Sequence, residues 1–186
     1  MLTEATLYRD AGQVKRWHVK RTHRTQTVAE HTFGMLMLVK QMVEEDSTGF
    51  EPFEVLDLYN AILHHDLPEL MTGDIPAPIK RAHPQLGPIL EIVEAELAPL
   101  YRDFDLTQNQ AVMLKWADRM ELVLWCVEEY EMGNRNTKAT IERGLGWIMQ
   151  AQMPLNCLGF TNTVVRHIRD THGIHPATGA TLEMKS

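Results

Sequence analysis

Apolar residues in this chain recur at spacings of three and four, and no strictly alternating stretch competes, so nearly every patterned segment reads as helix. The first clear one is "TVAEHTFGMLMLVKQMVEED", residues 27–46. Thr27 and Glu30 have capping-box spacing there, and Val28, His31, Met35, Leu38 and Met42 share one face. That face is apolar except for His31. A second helix runs through "FEVLDLYNAILHHDL", residues 53–67, with Phe53, Leu56, Tyr59 or Asn60, Leu63, and Asp66 or Leu67 expected inside, and it ends or kinks before Pro68. "GDIPAPIKRAHPQLG", residues 73–87, reads as a loop, with Ile75 and Ala77 extended before their prolines.

A helix carrying Leu90, Val93, Leu97 and Leu100 follows. "TQNQAVMLKWADRMELVLWCVEEYEMGN" opens with a second box at Thr107 and Gln110 and stops at Gly133, and its expected inward stripe is Ala111, Leu114, Asp118, Leu122 and Trp125. "ATIERGLGWIMQAQ" and "GFTNTVVRHIRDT" complete an all-α set, with a tail after Gly173 expected to fray. The pattern predicts a helical bundle, one domain with its core over about residues 9–170.

Composition agrees with that reading. The 186 residues suit a single domain, and 44% hydrophobic with 23% charged residues is ordinary for a globular chain. The longest apolar runs, such as "GMLMLV" at 34–39, fall far short of the roughly 20 residues that span a bilayer. No membrane association is expected, and the acidic residues in "MLTEATLYRD" do not suit a secretory leader, so the expected location is cytoplasmic. Cys126 and Cys157 give no disulfide or zinc-finger framework.

A net charge of -7, from 18 basic and 25 acidic residues, argues against binding a nucleic-acid polymer. The basic run "RDAGQVKRWHVKRTHRTQ", residues 9–26, departs from that balance and suits a small anionic ligand.

Three separate helices thus bring a polar residue to an apolar face: His31, Asp66 with its neighbour His65, and Asp118. Taken singly, His31 reads as a satisfied core histidine, Asp118 as a partner of Lys115 or Arg119, and Asp66 as a cap for the turn leading to Glu69. Taken together they favour one divalent cation, because a buried carboxylate costs several kcal/mol unless paired or coordinated. Two imidazoles and two carboxylates suit zinc, manganese, cobalt or ferrous iron. Adjacent His65 and Asp66 diverge by about 100° on a regular helix, a limit that a helix end distorted by Pro68 relaxes.

The order H, HD, D and its surroundings resemble the HD-domain phosphohydrolases, and within them the 5'-deoxynucleotidase group. The motifs are Arg16-Trp17, "VAEH" at 28–31, "HHDLPELMTGDIPAPIK" at 64–80 and "KWAD" at 115–118, so the resemblance covers about residues 9–135. It implies that His31, His65, Asp66 and Asp118 hold the catalytic metal, and that Glu69 and Asp74 act on the attacking water and the leaving oxygen. It further implies that Trp17 presses against the sugar and excludes a 2'-hydroxyl. Arg16 fits a phosphate contact, and Lys80 and Lys115 fit a longer phosphate chain. Ile75, Pro76 and Pro78 are candidates for a wall of the base pocket.

Two activities compete within the group. The short stretch between Asp74 and Asp118 looks more like the compact phage enzymes that cleave dATP to deoxyadenosine and triphosphate, depleting dATP where 2-aminoadenine replaces adenine in DNA. That reading implies work in the host cytoplasm, a homo-oligomer, and a second ion on the triphosphate. The alternative is a 5'-deoxynucleotidase acting on deoxynucleoside monophosphates. A metal-stabilised helical module without catalysis would not need Glu69, Asp74 or the Arg16-Trp17 segment.

Overall fold

The segment opened by the Thr107 and Gln110 box forms the axis of the fold. The structure is a computed structural model describing residues 4–45, 50–96, 104–151 and 158–178, with only the backbone of Glu4 and Glu94. Its helices are α1 (Glu4–Gly12), α2 (Val28–Glu45), α3 (Pro52–His64), α4 (Glu69–Thr72), α5 (Ala77–Ala82), α6 (Leu86–Glu96), α7 (Gln108–Glu131), α8 (Lys138–Gln150) and α9 (Leu158–His172). Helix α7 packs against α2, α3 and α8. Met113, Trp116, Met120 and Val123 of α7 are fully buried among Met35, Val39, Leu58, Ile62, Ile141 and Leu145.

Both capping boxes form. Thr27 N–H donates to Glu30 Oε2 at 2.7 Å, and Thr107 N–H donates to Gln110 Oε1 at 2.6 Å. Gln110 also donates through Nε2 to the Glu54 carbonyl at 2.8 Å, tying the start of α7 to α3. These contacts fix where α2 and α7 begin, and hence the height at which His31 and Asp118 lie.

The observed elements differ from the sequence expectations in six places. Residues Lys15–Arg16 (β1) and Gln26–Thr27 (β2) pair antiparallel, with Arg16 opposite Gln26, folding the basic segment back on the start of α2. Helix α1 precedes them; its apolar residues are too few to mark it in the sequence. On α3, Phe53 (65%) and Leu56 (59%) are exposed, as is Leu63, while Leu58, Ala61 and Ile62 face inward. Apolar residues surround this helix, so its periodicity did not single out a face.

On α7 the buried centre is Met113, Trp116, Met120 and Val123, and Ala111, Leu114, Asp118 and Leu122 lie along its partly buried edge. A helix enclosed on three sides has no single apolar stripe.

The segment expected to be a loop contains α5, because Pro76 is its N-cap and Pro78 its second residue, where no intrahelical N–H is needed. Ala77 is therefore the first helical residue and is not extended. Leu97, Leu100 and Cys157 lie outside the described residues, while Cys126 is a buried free thiol. Among the described residues, no helix is long and apolar enough to cross a membrane.

The segment after Gly173 does not fray over its described part. Ile174 is fully buried, Ala177 N–H donates to the Glu142 carbonyl at 2.8 Å, and a Cβ at Gly146 would lie 2.6 Å from the Ala177 carbonyl oxygen. Glycine at 146 lets this backbone lie directly on α8. Ile174→Ala should therefore cost about 2–5 kcal/mol in chemical denaturation, the range for a core isoleucine. A frayed segment would give a change near zero.

Candidate metal centre

Helix α3 ends at His64 because Pro68 carries no N–H to continue it. The chain then tightens: Leu67 N–H donates to the His64 carbonyl and Glu69 N–H to the Asp66 carbonyl, each at 3.1 Å. In this turn the neighbours His65 and Asp66 both reach the same point. Ligating atoms of His31, His65 and Asp66 lie within 4.8 Å of one another. Asp118 joins them from α7, its Oδ1 3.3 Å from His31 Nε2, while Asp66 Oδ2 is 3.3 Å from His65 Nε2.

The outer nitrogens fix which lone pairs face inward. His65 Nδ1 lies 2.6 Å from the Ile62 carbonyl, which can only accept, so that nitrogen carries the proton. His31 Nδ1 likewise donates to Glu121 Oε2. Both Nε2 atoms are buried and make no hydrogen bond, and both turn toward the Asp66 and Asp118 carboxylates. Two imidazole lone pairs and two carboxylates directed at one point fit a divalent cation of mixed nitrogen and oxygen preference. An imidazole whose far nitrogen donates to a carboxylate is a usual support for such a ligand.

Arg16 enters from β1, its Nη1 donating to Asp66 Oδ2 at 2.5 Å. Trp17 follows with φ of 61°, a left-handed conformation costly for a bulky residue. Its N–H donates to Asp74 Oδ2 at 3.3 Å, its indole N–H donates to Gln26 Oε1 at 2.9 Å, and its ring stacks on Trp125 at 4.9 Å. The rest of the basic segment is clamped from behind. The buried Glu129 carboxylate accepts from the His23 and Arg24 N–H groups at 2.8 and 2.9 Å, and Asn134 donates to the Arg21 carbonyl at 2.9 Å.

Glu69, at the start of α4, is buried beside a small cavity, open to solvent, lined by His65, Asp66, Pro68, Glu69, Thr72, Ile75, Lys80, Leu90 and Val93. Of the segment at 75–78, only Ile75 lines this cavity; Pro76 and Pro78 shape α5. Lys80 lies at the cavity, and Lys115 is exposed one turn before Asp118 without lining it. Leu90 and Val93 of α6 form an apolar wall that sequence patterning had marked only as helical positions.

Burial and the neighbouring Asp66 carboxylate push Glu69 up to about 8, so it holds a proton at neutral pH. Burial opposes the charged form of His31, but without a cation the Asp118 and Glu121 carboxylates outweigh it and raise His31 to about 9, so at neutral pH Nε2 also carries a proton, which a bound cation would displace to take that lone pair. Desolvation likewise works against the Asp118 carboxylate, and His31 overrides it, holding Asp118 well below its usual range.

Glu121 was missed by sequence reasoning. Its only signal was its place one turn beyond Asp118, where an acid on a long helix ordinarily reads as solvated.

A family model described as 5'-deoxynucleotidase YfbR-like matches residues 6–167. The chain is 29% identical to a 5'-deoxynucleotidase of Photorhabdus temperata over 71% of this chain and 77% of that one. It is 26% identical to a 5'-deoxynucleotidase of Photobacterium profundum over 82% and 87%. Its fold matches an HD-domain phosphohydrolase from Listeria innocua with a TM-score of 0.73 at 21% identity, covering 91% of this chain and 90% of that one. It also matches the cyanophage S-2L HD phosphohydrolase DatZ, solved with dA and one catalytic zinc ion. There the TM-score is 0.64 at 20% identity, covering 92% and 99%.

The raised Glu69 has a consequence for stability without added metal. The folded protein holds this proton more tightly than the unfolded chain, so the contribution is fully present below the ordinary 4.5 and is lost as pH rises through about 8. Glu69→Gln removes that loss. With chelator present, the Tm advantage of the variant should be smallest below pH 4.5 and grow up to about pH 8. A difference constant across that window would show that Glu69 is not buried as a neutral acid.

Proposed function

Because the chain belongs to the YfbR-like 5'-deoxynucleotidase family of HD-domain phosphohydrolases, we propose that it cleaves the 5'-phosphate ester of deoxynucleoside monophosphates. Water adds to phosphorus, the bond from phosphorus to the 5'-oxygen breaks, and deoxynucleoside and orthophosphate leave. The observation that carries this reading is the convergence of His31, His65, Asp66 and Asp118 beside a buried Glu69.

In the proposal those four residues hold a divalent cation, zinc, cobalt or manganese. When bound, it supplies charge neutralisation for phosphoryl oxygens and a more acidic water. Glu69, protonated at neutral pH, is placed to give its proton to the leaving 5'-oxygen, and Asp74 to accept one from the attacking water. Arg16 binds the phosphate through a guanidinium whose Nε is buried and makes no hydrogen bond. Trp17, fixed by Asp74, Gln26 and Trp125, closes on the sugar where a 2'-hydroxyl would project. Ile75, Leu90 and Val93 give the cavity an apolar side for the rest of the nucleotide.

A second reading, dATP cleaved at the α-phosphorus to deoxyadenosine and triphosphate, is favoured by one observation. The stretch from Asp74 to Asp118 is compact, and Lys80 on it reaches the cavity. In that reading a second ion accompanies the triphosphate. Both reactions break the same bond, so the catalytic groups serve either.

Purified, metal-loaded protein given dAMP, dATP, 2-amino-dATP, dGTP, AMP and ATP separates them. Orthophosphate from dAMP, with AMP spared and dATP untouched, is the expected result; triphosphate from dATP with 2-amino-dATP spared would replace it with the second reading. Glu69→Ala should keep its fold and metal content while turnover falls by about 10²–10⁴-fold, the usual weight of a positioned acid or base. Retained turnover would remove Glu69 from the mechanism.

A further inference from the structure

A buried carboxylate needs a donor at each oxygen, and Glu121 finds its two in opposite directions. Oε2 accepts from His31 Nδ1, and Oε1 accepts from Gln26 Nε2 at 2.7 Å. Gln26 in turn accepts the Trp17 indole N–H through Oε1 at 2.9 Å. His31, Gln26 and Glu121 are all buried, so the chain of bonds from Trp17 to His31 runs out of contact with water.

Chemistry at the two ends fixes its polarity. An indole nitrogen only donates, so Gln26 must turn its oxygen to Trp17 and its NH₂ to Glu121. An ionised carboxylate only accepts, so His31 must carry its proton on Nδ1 and present its Nε2 lone pair to the cation site. A neutral amide in place of the carboxylate cannot satisfy both neighbours and also keep the Nε2 lone pair free: if its oxygen serves Gln26, its NH₂ faces His31 Nδ1 and drives the imidazole proton to Nε2, on the cation side. If its oxygen serves His31 instead, its NH₂ meets the NH₂ of Gln26, and a flipped Gln26 then meets the indole N–H donor to donor.

The backbone is shaped for this contact. Gly34 lies one turn after His31 on α2, and a Cβ there would be 2.8 Å from Glu121 Cγ. Any side chain at 34 would displace the carboxylate.

We propose that Glu121 and Gln26 are positioning residues that couple His31 to Trp17, setting the cation-ready imidazole and the indole orientation as one unit. This rests on the proposed roles of His31 in cation binding and Trp17 in sugar selection.

The test compares the full-length protein with Glu121→Gln, Gln26→Leu and Gly34→Ala. Zn²⁺ affinity is read by competition with a chromogenic chelator. Sugar selection is read as the ratio of kcat/KM for the deoxy and ribo forms of the nucleotide that the wild type cleaves fastest. Glu121→Gln should lose about 10–100-fold in Zn²⁺ affinity, the usual cost of losing a ligand's outer partner, and several-fold in the sugar ratio. Gln26→Leu should keep Zn²⁺ affinity and lose the sugar ratio, a split that general destabilisation would not produce. Gly34→Ala should lose both by displacing the Glu121 carboxylate while removing no polar group.

Unchanged Zn²⁺ affinity in Glu121→Gln, or an unchanged sugar ratio in Gln26→Leu, overturns the coupling. Should Glu121→Gln fail to fold, Gly34→Ala decides, and wild-type values for it overturn the coupling. A wild type that binds no Zn²⁺ or makes no distinction between the sugars sinks the proposed site, and this inference with it. A wild type that does both, with variants that do not respond, sinks the inference alone.

Discussion

Removing a carboxylate from water costs several kcal/mol unless each oxygen finds a donor or a cation, and this fold gathers its half-buried and buried acids around one helix and the turn facing it. Each is answered differently. Asp66 is met by Arg16, Glu121 by His31 and Gln26, and Glu129 by two backbone N–H groups and Asn134. Glu69, buried beside the Asp66 carboxylate, keeps its proton because these outweigh the pull of Arg16 and Lys80. Asp118 stays ionised beside His31, at a mouth where its side chain is 40% exposed. The arrangement of β1, the turn at 65–68 and α7 follows from where those partners have to stand.

The same requirement separates structural from chemical work. Glu129 is saturated by donors, so it holds the chain and can offer nothing to a ligand. His31 and His65 are saturated on one nitrogen only, and the other is directed into the centre. A site that handles phosphate needs groups of the second kind supported by groups of the first, and α7 carries both, with Glu121 and Glu129 lying behind Asp118.

How much of this was legible in the sequence depended on whether a residue broke a local pattern. His31 interrupts an apolar face, and His65 and Asp66 precede a proline that must distort their helix, so their convergence could be anticipated. Glu121 breaks nothing: an acid in a long helix with charges on several sides reads as solvated, and only the approach of α2 at Gly34 buries it. Pro76 and Pro78 read as breakers although they start a helix, because their meaning depends on which turn they occupy. Ile174 is a single apolar residue in a polar stretch, and its order comes from the core it enters and from the contact of Ala177 with α8.

The clamp on the basic segment changes what a loop is at this site. Residues 17–25 have little regular hydrogen bonding of their own, yet Glu129 and Asn134 fix the backbone at Arg21, His23 and Arg24 from behind, and Trp125 holds Trp17 from the side. An unrestrained loop carrying these cations would surrender its conformational freedom each time it closed on an anion, at roughly 1–2 kcal/mol per residue ordered. Here that freedom is given up once, during folding. In the proposed role the segment meets its ligand already rigid, and a tight grip on a small anion would not require a moving lid.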